Sequence, residues 1–429
     1  MVDLEKIYEE VEKLEAEHFM EIMRKLIGID TSIPPGNTYR EYVDAISPYF
    51  KELGYSLEEV IVPEDLVKQI PYPLEGPRIN LVASKDFGQE DYVSFYGHMD
   101  VVPATEEGAQ KWRYPPFEAT MNKRGKIFGR GVGDMKGAMA CVITALQLIE
   151  KFKLTPKYNI RVLNCTDEEV GVYPGIRYLA EQGYVKGAVF CMDVGIEPII
   201  PLGLAGSMTI TVETIGKSCH AGFNFMGVNA LEEMVPILNE LIKLKKIVEE
   251  RESKDIPGFP RFGTGEQLNM TPMFNLDIIH SGTKSNIVPD QCTLVIDRRI
   301  LPDEKGEEVQ KEITEAIEKG KKVSKAIDVK ATFEYSNPPV KVNPNSPHIN
   351  RFKKVLSLVQ NVKEEDIRLI GLPIASDMGF INQILNTDDI ILTGLATLKS
   401  NTHGVNESVT FKDVKIFIKE IIGFLCADL

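Results

Sequence analysis

The sequence lacks any apolar stretch near the roughly 20 residues that a membrane-spanning helix needs. It is also poor in positive charge, with 49 Lys and Arg residues against 63 Asp and Glu residues and a formal net charge of −14. Nucleic acids and anionic membranes bind basic surfaces, so this balance argues against both as partners. We therefore expect a soluble protein whose partner is a small-molecule substrate.

Paired cysteines are also absent. The six cysteines are scattered and form no CxxC pair: Cys141, Cys165, Cys191, Cys219, Cys292 and Cys426. This spacing predicts reduced thiols rather than a disulfide framework. The amino-terminal segment MVDLEKIYEEVEKLEAEHF has the pattern of a charged amphipathic helix and not of a signal peptide. Together these features predict a cytoplasmic protein.

What the sequence does contain is an alternation of helix and strand patterns. RINLVASK, DYVSFYGHM and YNIRVLNCT have strand composition, and MKGAMACVITALQLIEKF has the apolar stripe of a helix. Such alternation predicts an α/β fold with a mostly parallel sheet. Near Gly206 the order becomes strand-helix-strand-strand-helix-strand, which is ferredoxin-like. We predict a catalytic domain of residues 1–205 and 339–429, interrupted by an inserted domain of residues 206–338.

Histidine and carboxylate side chains follow the predicted strands. FYGHMDVVP places His98 and Asp100 at a strand end, and side chains two residues apart on a strand share a face. Four further segments resemble it: GRGVGDMKGAM with Asp134, NCTDEEVG with Asp167, Glu168 and Glu169, FCMDVG with Asp193, and NTHGVNES with His403. Taken singly, each has an ordinary alternative: a polar loop, a carboxylate at a helix amino terminus, or a surface histidine.

Taken together, these side chains indicate metal binding. In a parallel sheet the carboxyl ends of the strands meet at one edge, where ligand sites gather. Concentrated negative charge at such an edge is repulsive unless cations neutralise it. Imidazole and carboxylate ligands suit zinc and neighbouring divalent ions, and one shared carboxylate suits two ions roughly 3.5–4 Å apart. We predict two metal ions, with a single ion as the alternative.

The chain resembles the M20 family of metal-dependent amidohydrolases and peptidases, which includes acetylornithine deacetylases, succinyl-diaminopimelate desuccinylases, aminoacylases and glutamate carboxypeptidases. GHMDVVP, GRGVGDMKG and DEEVG resemble the family's motifs in order and spacing, and THGVNE resembles its terminal motif. GKSCHAGFNFMGVNAL, GTKSNIVPDQC and DRRILP resemble its inserted domain. The resemblance implies a di-metal hydrolase domain with an inserted ferredoxin-like lid domain that commonly forms dimers.

The resemblance also implies a ligand set. One metal ion would be held by His98, Asp134 and Asp193. The other would be held by Asp134, Glu169 and His403, so that Asp134 bridges the two ions.

Two further carboxylates next to these ligands are implied to act in catalysis. Glu168 would be the general base. Asp100 would accept a hydrogen bond from the far ring nitrogen of His98 and so fix its tautomer. Glu197, in GIEP, is a rival to Asp193 as a metal ligand.

Three residues of the inserted domain complete the expected site. His220 is implied to reach the active site of the partner in a homodimer and to stabilise the oxyanion. Asn286 and Arg298 resemble family positions that bind substrate, and Arg298 could clamp a carboxylate bidentately. A surface histidine and a structural salt bridge are the respective alternatives for His220 and Arg298.

The implied reaction is amide hydrolysis by water activated at zinc, with cobalt and manganese as alternative ions. The expected substrate is an N-acyl amino acid such as N-acetylornithine or N-succinyl-diaminopimelate. A dipeptidase or metallocarboxypeptidase with the same site is the first alternative. A non-catalytic binding protein is the second.

Overall fold

The structure is a computed structural model and describes residues 4–106, 109–259 and 268–429. Contacts divide the chain into two compact units. Unit 1 contains residues 1–202, 342–369 and 380–429, and unit 2 contains residues 203–341 and 370–379. The inserted domain predicted at residues 206–338 has limits close to those of the first segment of unit 2, residues 203–341. Residues 370–379 of unit 2 fall within the predicted catalytic domain.

The elements are numbered in chain order. The α-helices are Leu4–Glu12 (α1), Ala16–Ile27 (α2), Tyr39–Glu52 (α3), Glu64–Val67 (α4), Lys136–Lys151 (α5), Gly175–Glu181 (α6), Ala230–Glu249 (α7), Gly306–Lys321 (α8), Pro347–Gln360 (α9), Met378–Leu385 (α10) and Phe411–Cys426 (α11). The strands are Ser56–Ile61 (β1), Ile79–Lys85 (β2), Tyr92–His98 (β3), Thr120–Met121 (β4), Lys126–Phe128 (β5), Asn159–Cys165 (β6), Ala188–Cys191 (β7), Ile199–Leu204 (β8), Gly206–Ile215 (β9), Met273–Ser281 (β10), Gln291–Ile300 (β11), Asp328–Asn337 (β12), Val340–Lys341 (β13), Arg368–Leu372 (β14), Ile390–Leu392 (β15) and Ser408–Thr410 (β16).

Unit 1 is built on a mixed six-stranded sheet with the order β1-β2-β6-β3-β7-β15. Strands β6, β3, β7 and β15 are parallel, while β2 runs antiparallel to both β1 and β6. The α/β class agrees with the expectation from sequence, and the mixed sheet refines the expected mostly parallel one. Composition identified these segments as strands, but it carries no signal for strand direction.

The centre of this sheet is covered on both faces, as is usual for parallel strands. In β3, every residue from Val93 to His98 is buried, and the ring of Phe95 packs 4.7 Å from that of Phe190 in β7. Helix α5 is buried around most of its circumference and packs on α2 and α11. A helix that is apolar on all sides belongs in a core. Its first turn therefore gives a fixed support to the loop that precedes it.

Unit 2 contains an antiparallel sheet with the order β10-β11-β9-β12. Buried and half-buried residues alternate strictly along β9, which gives this sheet one buried face. Met208, Ile210 and Val212 of that face pack in one core with residues of α7 and α8, such as Met234 and Ile313. The order of strands and helices along this segment is the ferredoxin-like one expected from the sequence.

Two further observations concern the cysteines and the possibility of membrane-spanning helices. All six cysteines lie in described residues and are free thiols, five of them buried. Among the helices that the structure describes, none combines the length and the apolarity needed to span a membrane.

Candidate metal centre

The candidate ligands lie where parallel strands of unit 1 end. His98 is the last residue of β3, and Glu169 follows β6 after a short turn. Asp193 lies two residues beyond β7, and His403 lies in the loop that follows β15. The carboxyl ends of these strands share one edge of the sheet, so the four side chains approach one another. Asp134 reaches the same place from the loop before α5.

Two groups of possible metal ligands are found among the described residues, and Asp134 belongs to both. In the first group, the His98 Nε2 atom lies 3.0 Å from Asp134 Oδ1 and 3.4 Å from Asp193 Oδ1. In the second, the His403 Nε2 atom lies 3.1 Å from both Asp134 Oδ2 and Glu169 Oε2. The ligand atoms within each group all lie within 4.8 Å of one another. The two oxygens of Asp134 thus face different groups, which is the arrangement of a bridging carboxylate.

Burial and neighbouring charges shift the pKa values of the candidate ligands. Burial, followed by the charge of Asp134, raises the pKa of Asp193 and that of Glu169. Burial would also raise the pKa of Asp134, but hydrogen bonds from His403 and His98 hold that pKa well below its usual range. The hydrogen bonds that His403 donates to Asp134 and Glu169 in turn raise the pKa of His403. A divalent cation bound between these carboxylates would supply the positive charge that favours their ionised form.

The donor set fits divalent cations. Within the described part of the chain, Glu169 Oε1 is a buried oxygen without a hydrogen-bond partner. Carboxylate oxygens and neutral imidazole nitrogens are the ligands of zinc and its neighbours, and a shared carboxylate is typical of two-metal sites. His98, Asp134 and Asp193 would hold one ion, and Asp134, Glu169 and His403 the other.

Asp100 orients this site in a different way from the expected one. The His98 Nδ1 atom lies 3.0 Å from the main-chain oxygen of Asp100, whereas the Asp100 carboxylate is 3.8 Å away. A carbonyl oxygen only accepts, so Nδ1 donates and Nε2 is left to face the ligand group. The carboxylate of Asp100 instead accepts a 2.9 Å hydrogen bond from the Glu169 backbone N–H. Asp100 therefore contacts a ligand of each group.

Glu168 and Glu169 lie in a 3₁₀ turn, Glu168–Val170, whose preceding residue Asp167 has a left-handed backbone with φ of 65°. Asp167 is buried, accepts a 2.9 Å hydrogen bond from the Tyr39 hydroxyl and lies 3.5 Å from the Arg78 guanidinium. The sequence assigned no role to Tyr39 or Arg78. Each stands far from the acidic turn along the chain, so no local signal could have revealed the contact.

A family model provides the decisive comparison. The model of peptidase family M20/M25/M40 matches residues 94–425, which include every candidate ligand. The chain belongs to the M20 peptidase family. It is accordingly a hydrolase that acts on C–N bonds, and the family generally depends on a dinuclear metal centre.

Named relatives of this M20 chain differ in substrate. A probable succinyl-diaminopimelate desuccinylase from Staphylococcus aureus is 29% identical over 343 residues, which cover 74% of this chain and 80% of the relative. An N-formyl-4-amino-5-aminomethyl-2-methylpyrimidine deformylase from Bacillus subtilis is 25% identical over 448 residues, which cover 98% of this chain and 97% of the relative. The structure of a di-peptidase from Saccharomyces cerevisiae has a TM-score of 0.76 at 18% identity and covers 98% of both chains, which shows a shared fold.

Asp193 and its rival Glu197 occupy different places in this M20 site. Asp193 belongs to the first ligand group, whereas Glu197 belongs to neither of the two groups found in the described residues. The Glu197 Oε1 atom accepts a 3.0 Å hydrogen bond from the Leu398 backbone N–H. The structure thus brings Asp193, and not Glu197, to His98.

The three expected residues of the inserted segment all lie in unit 2. His220 is exposed, and the strand bridge between His220 and Ile287 brings it beside Asn286, which is also exposed. Arg298 is buried, and its guanidinium donates a 2.6 Å hydrogen bond to Glu304. This contact supports the alternative of a structural salt bridge for Arg298. The roles of His220 and Asn286 toward substrate stay predictions.

Proposed function

We propose that this M20 hydrolase is a di-metal deacylase that removes the acyl group from an N-acyl amino acid. The observation that carries the proposal is the pair of ligand groups that share Asp134, with Glu168 next to a ligand of the second group. Two relatives named for removal of an acyl group, a desuccinylase and a deformylase, support a deacylase. The di-peptidase of the same fold supports a dipeptidase as second candidate.

The ions supply Lewis acidity when bound, which lowers the pKa of a water molecule to roughly 7. Zinc is our first choice from the imidazole and carboxylate donor set, with cobalt and manganese as alternatives. Each ligand must be deprotonated to bind a cation, so acid pH should remove metal and activity together. We propose the ligand set His98, Asp134, Glu169, Asp193 and His403.

We propose a separate role in the reaction for each of the side chains around this centre. Glu168 would take the proton of the attacking water and return it to the leaving amine, as a general base and then a general acid. The Asp100 carbonyl holds the proton of His98 on Nδ1, so that Nε2 stays directed at the site. His220 would donate a hydrogen bond to the developing oxyanion. Asn286, beside it, would contact the substrate.

In the role that the family resemblance implies, His220 serves the active site of a second copy of the chain, and we propose a homodimer formed through unit 2. Leu231, Val235 and Ile242 of α7 are exposed and recur at helical spacing, which makes an apolar stripe on the face away from the core. Phe223 and Phe225, next to His220, are exposed as well. Exposed apolar residues that form a patch are typical of protein contacts.

The proposal is tested by assay of the purified protein after chelation and reloading with zinc, cobalt or manganese in turn. The substrate panel contains N-acetyl and N-succinyl amino acids, including N-acetylornithine and N-succinyl-diaminopimelate, and a set of dipeptides. We expect metal-dependent release of amine from an N-acyl substrate. Hydrolysis of dipeptides alone would favour the second candidate, and turnover by the chelated protein would contradict a metal-dependent mechanism.

Glu168→Gln provides the control within the same assay. Loss of the general base should lower kcat by about 10²–10⁴-fold, while metal content measured by mass spectrometry stays at the wild-type level. Wild-type turnover by this variant would contradict the assigned mechanism.

A further inference from the structure

A buried ion pair lies directly behind the proposed metal centre. The side chain of Glu407, immediately before β16, is fully buried, and its Oε2 atom lies 2.7 Å from Arg130 Nη1. The same carboxylate accepts three backbone hydrogen bonds, from the N–H groups of Gly131 at 3.2 Å, Gly133 at 2.8 Å and Asp134 at 3.2 Å. These hydrogen bonds hold together the glycine-rich turn that carries Asp134.

Arg130 extends the contact to two other segments. Its Nη2 atom donates to the main-chain oxygen of His403 at 3.0 Å and to that of Pro103 at 3.4 Å. The guanidinium carbon also lies 5.4 Å from the ring centre of Trp112, within the range of a cation–π contact. The ion pair therefore contacts the turn of Asp134, the loop of His403 and the segment that follows Asp100.

The ion pair contacts the segments of some candidate ligands and not of others. His98 ends a central strand, and the backbone N–H of Val194, next to Asp193, donates to the main-chain oxygen of Thr393, just after β15. Asp134 and His403 instead lie in irregular loops, and Gly131 in the first of these has a φ of 85°. Glycines supply no side chains to hold such a turn, and the Glu407 carboxylate accepts hydrogen bonds from three of its backbone N–H groups.

A buried charge pair is costly and is seldom the cheapest way to stabilise a core. We infer that Arg130 and Glu407 are positioning residues that set the separation of Asp134 from His403 and thereby the affinity of the metal site formed by Asp134, Glu169 and His403. The inference rests on the proposed metal centre. It assigns a function to two charged residues inside the GRGVGD and THGVNE motifs for which the motifs alone predicted no role.

The test is a titration of the metal-free full-length protein with zinc in the presence of a competing chelator. Wild type should bind two ions. Glu407→Gln should bind the ion held by Asp134, Glu169 and His403 about 10–100-fold more weakly, the range expected for partners that orient ligands. Because Asp134 also belongs to the His98 group, the other ion should be weakened too, but by less. Arg130→Lys keeps the charge but cannot reach both carbonyl oxygens, so it should weaken the first of these ions by less than Glu407→Gln does.

Glu420→Gln is the matched control, because Glu420 is also a fully buried carboxylate of unit 1 and hydrogen-bonds Gln360 instead of a ligand-bearing loop. It should bind both ions as wild type does. Wild-type affinity for both ions in Glu407→Gln, or equal weakening of both, would overturn the inference. If Glu407→Gln does not fold, Arg130→Lys decides in the same way. A wild-type protein that binds no metal would instead overturn the proposed centre itself.

Discussion

At the scale of single residues, Asp193 and Glu197 illustrate how the backbone selects one of two nearby carboxylates. The backbone N–H groups of Val194 and Ile196 donate to Thr393 and Ala396, which ties this segment to the chain after β15. Asp193 then faces His98, and Glu197 accepts a hydrogen bond from Leu398. The side chain four residues farther on is directed at a loop and not at the ligand group.

We predict that Asp193→Asn lowers metal affinity at the His98 site by at least about tenfold, because an amide offers a weaker, uncharged ligand oxygen. Glu197→Gln is the matched control, since it makes the same chemical change four residues away and should leave both metal affinities unchanged. Zinc titration with a competing chelator measures both variants. Loss of affinity in Glu197→Gln with none in Asp193→Asn would reverse the assignment.

At the scale of elements, α11 contains a carboxyl group buried in an apolar setting. This group is the carboxyl of Glu420, whose Oε1 atom accepts a 2.7 Å hydrogen bond from Gln360, the last residue of α9. Burial, followed by the charge of Glu420, raises the pKa of Tyr8 in α1. Burial raises the pKa of Glu420 itself from 4.5 to about 8.

This shift predicts how stability depends on pH. Between pH 4.5 and about 8 the folded state holds a proton on Glu420 that the unfolded state has lost. The stabilisation is therefore complete below pH 4.5 and is lost as pH rises toward 8, by at most about 1.4 kcal/mol per pH unit. Glu420→Gln removes this titration.

Melting temperatures of metal-free wild type and Glu420→Gln, measured from pH 5 to pH 8, provide the check. We expect wild type to lose stability relative to the variant across this interval. A difference between the two proteins that stays constant with pH would show that Glu420 titrates alike in the folded and unfolded states.

At the scale of the whole molecule, the proposed homodimer would make the active site depend on assembly. We predict that Val235→Glu, which places a charge on the apolar stripe of α7, converts dimers to monomers. An unpaired charge buried in a contact costs about 3–5 kcal/mol, which corresponds to a dissociation constant raised by about 100-fold or more. If His220 acts in the partner's site, activity per chain should fall with dimer content.

Val323→Glu is the control, because Val323 lies just beyond α8 and is also exposed, at 73% against 48% for Val235. Sedimentation velocity should show a dimer for wild type and for Val323→Glu, and a monomer for Val235→Glu at the same concentration. A monomeric wild type, or a dimeric Val235→Glu, would contradict the assembly proposed here.

Much of the site was predictable because its signals are local. A strand and the polar residue that ends it lie next to each other in sequence, so the positions of His98, Glu169 and Asp193 at strand ends follow from short segments. The alternation along β9 is also local, and it predicts a sheet with one buried face. Motif resemblance added the family, which the match to residues 94–425 confirmed.

The sequence by itself determined which residue types stand at the ends of which strands, because backbone propensity and side-chain periodicity are properties of near neighbours. Only the tertiary structure decided the direction of β2, the pairing of Arg298 with Glu304, and the use of the Asp100 carbonyl by His98. It alone joined Arg130 to Glu407, which are 277 positions apart. Contacts of this kind depend on how distant segments pack, and no local pattern records that.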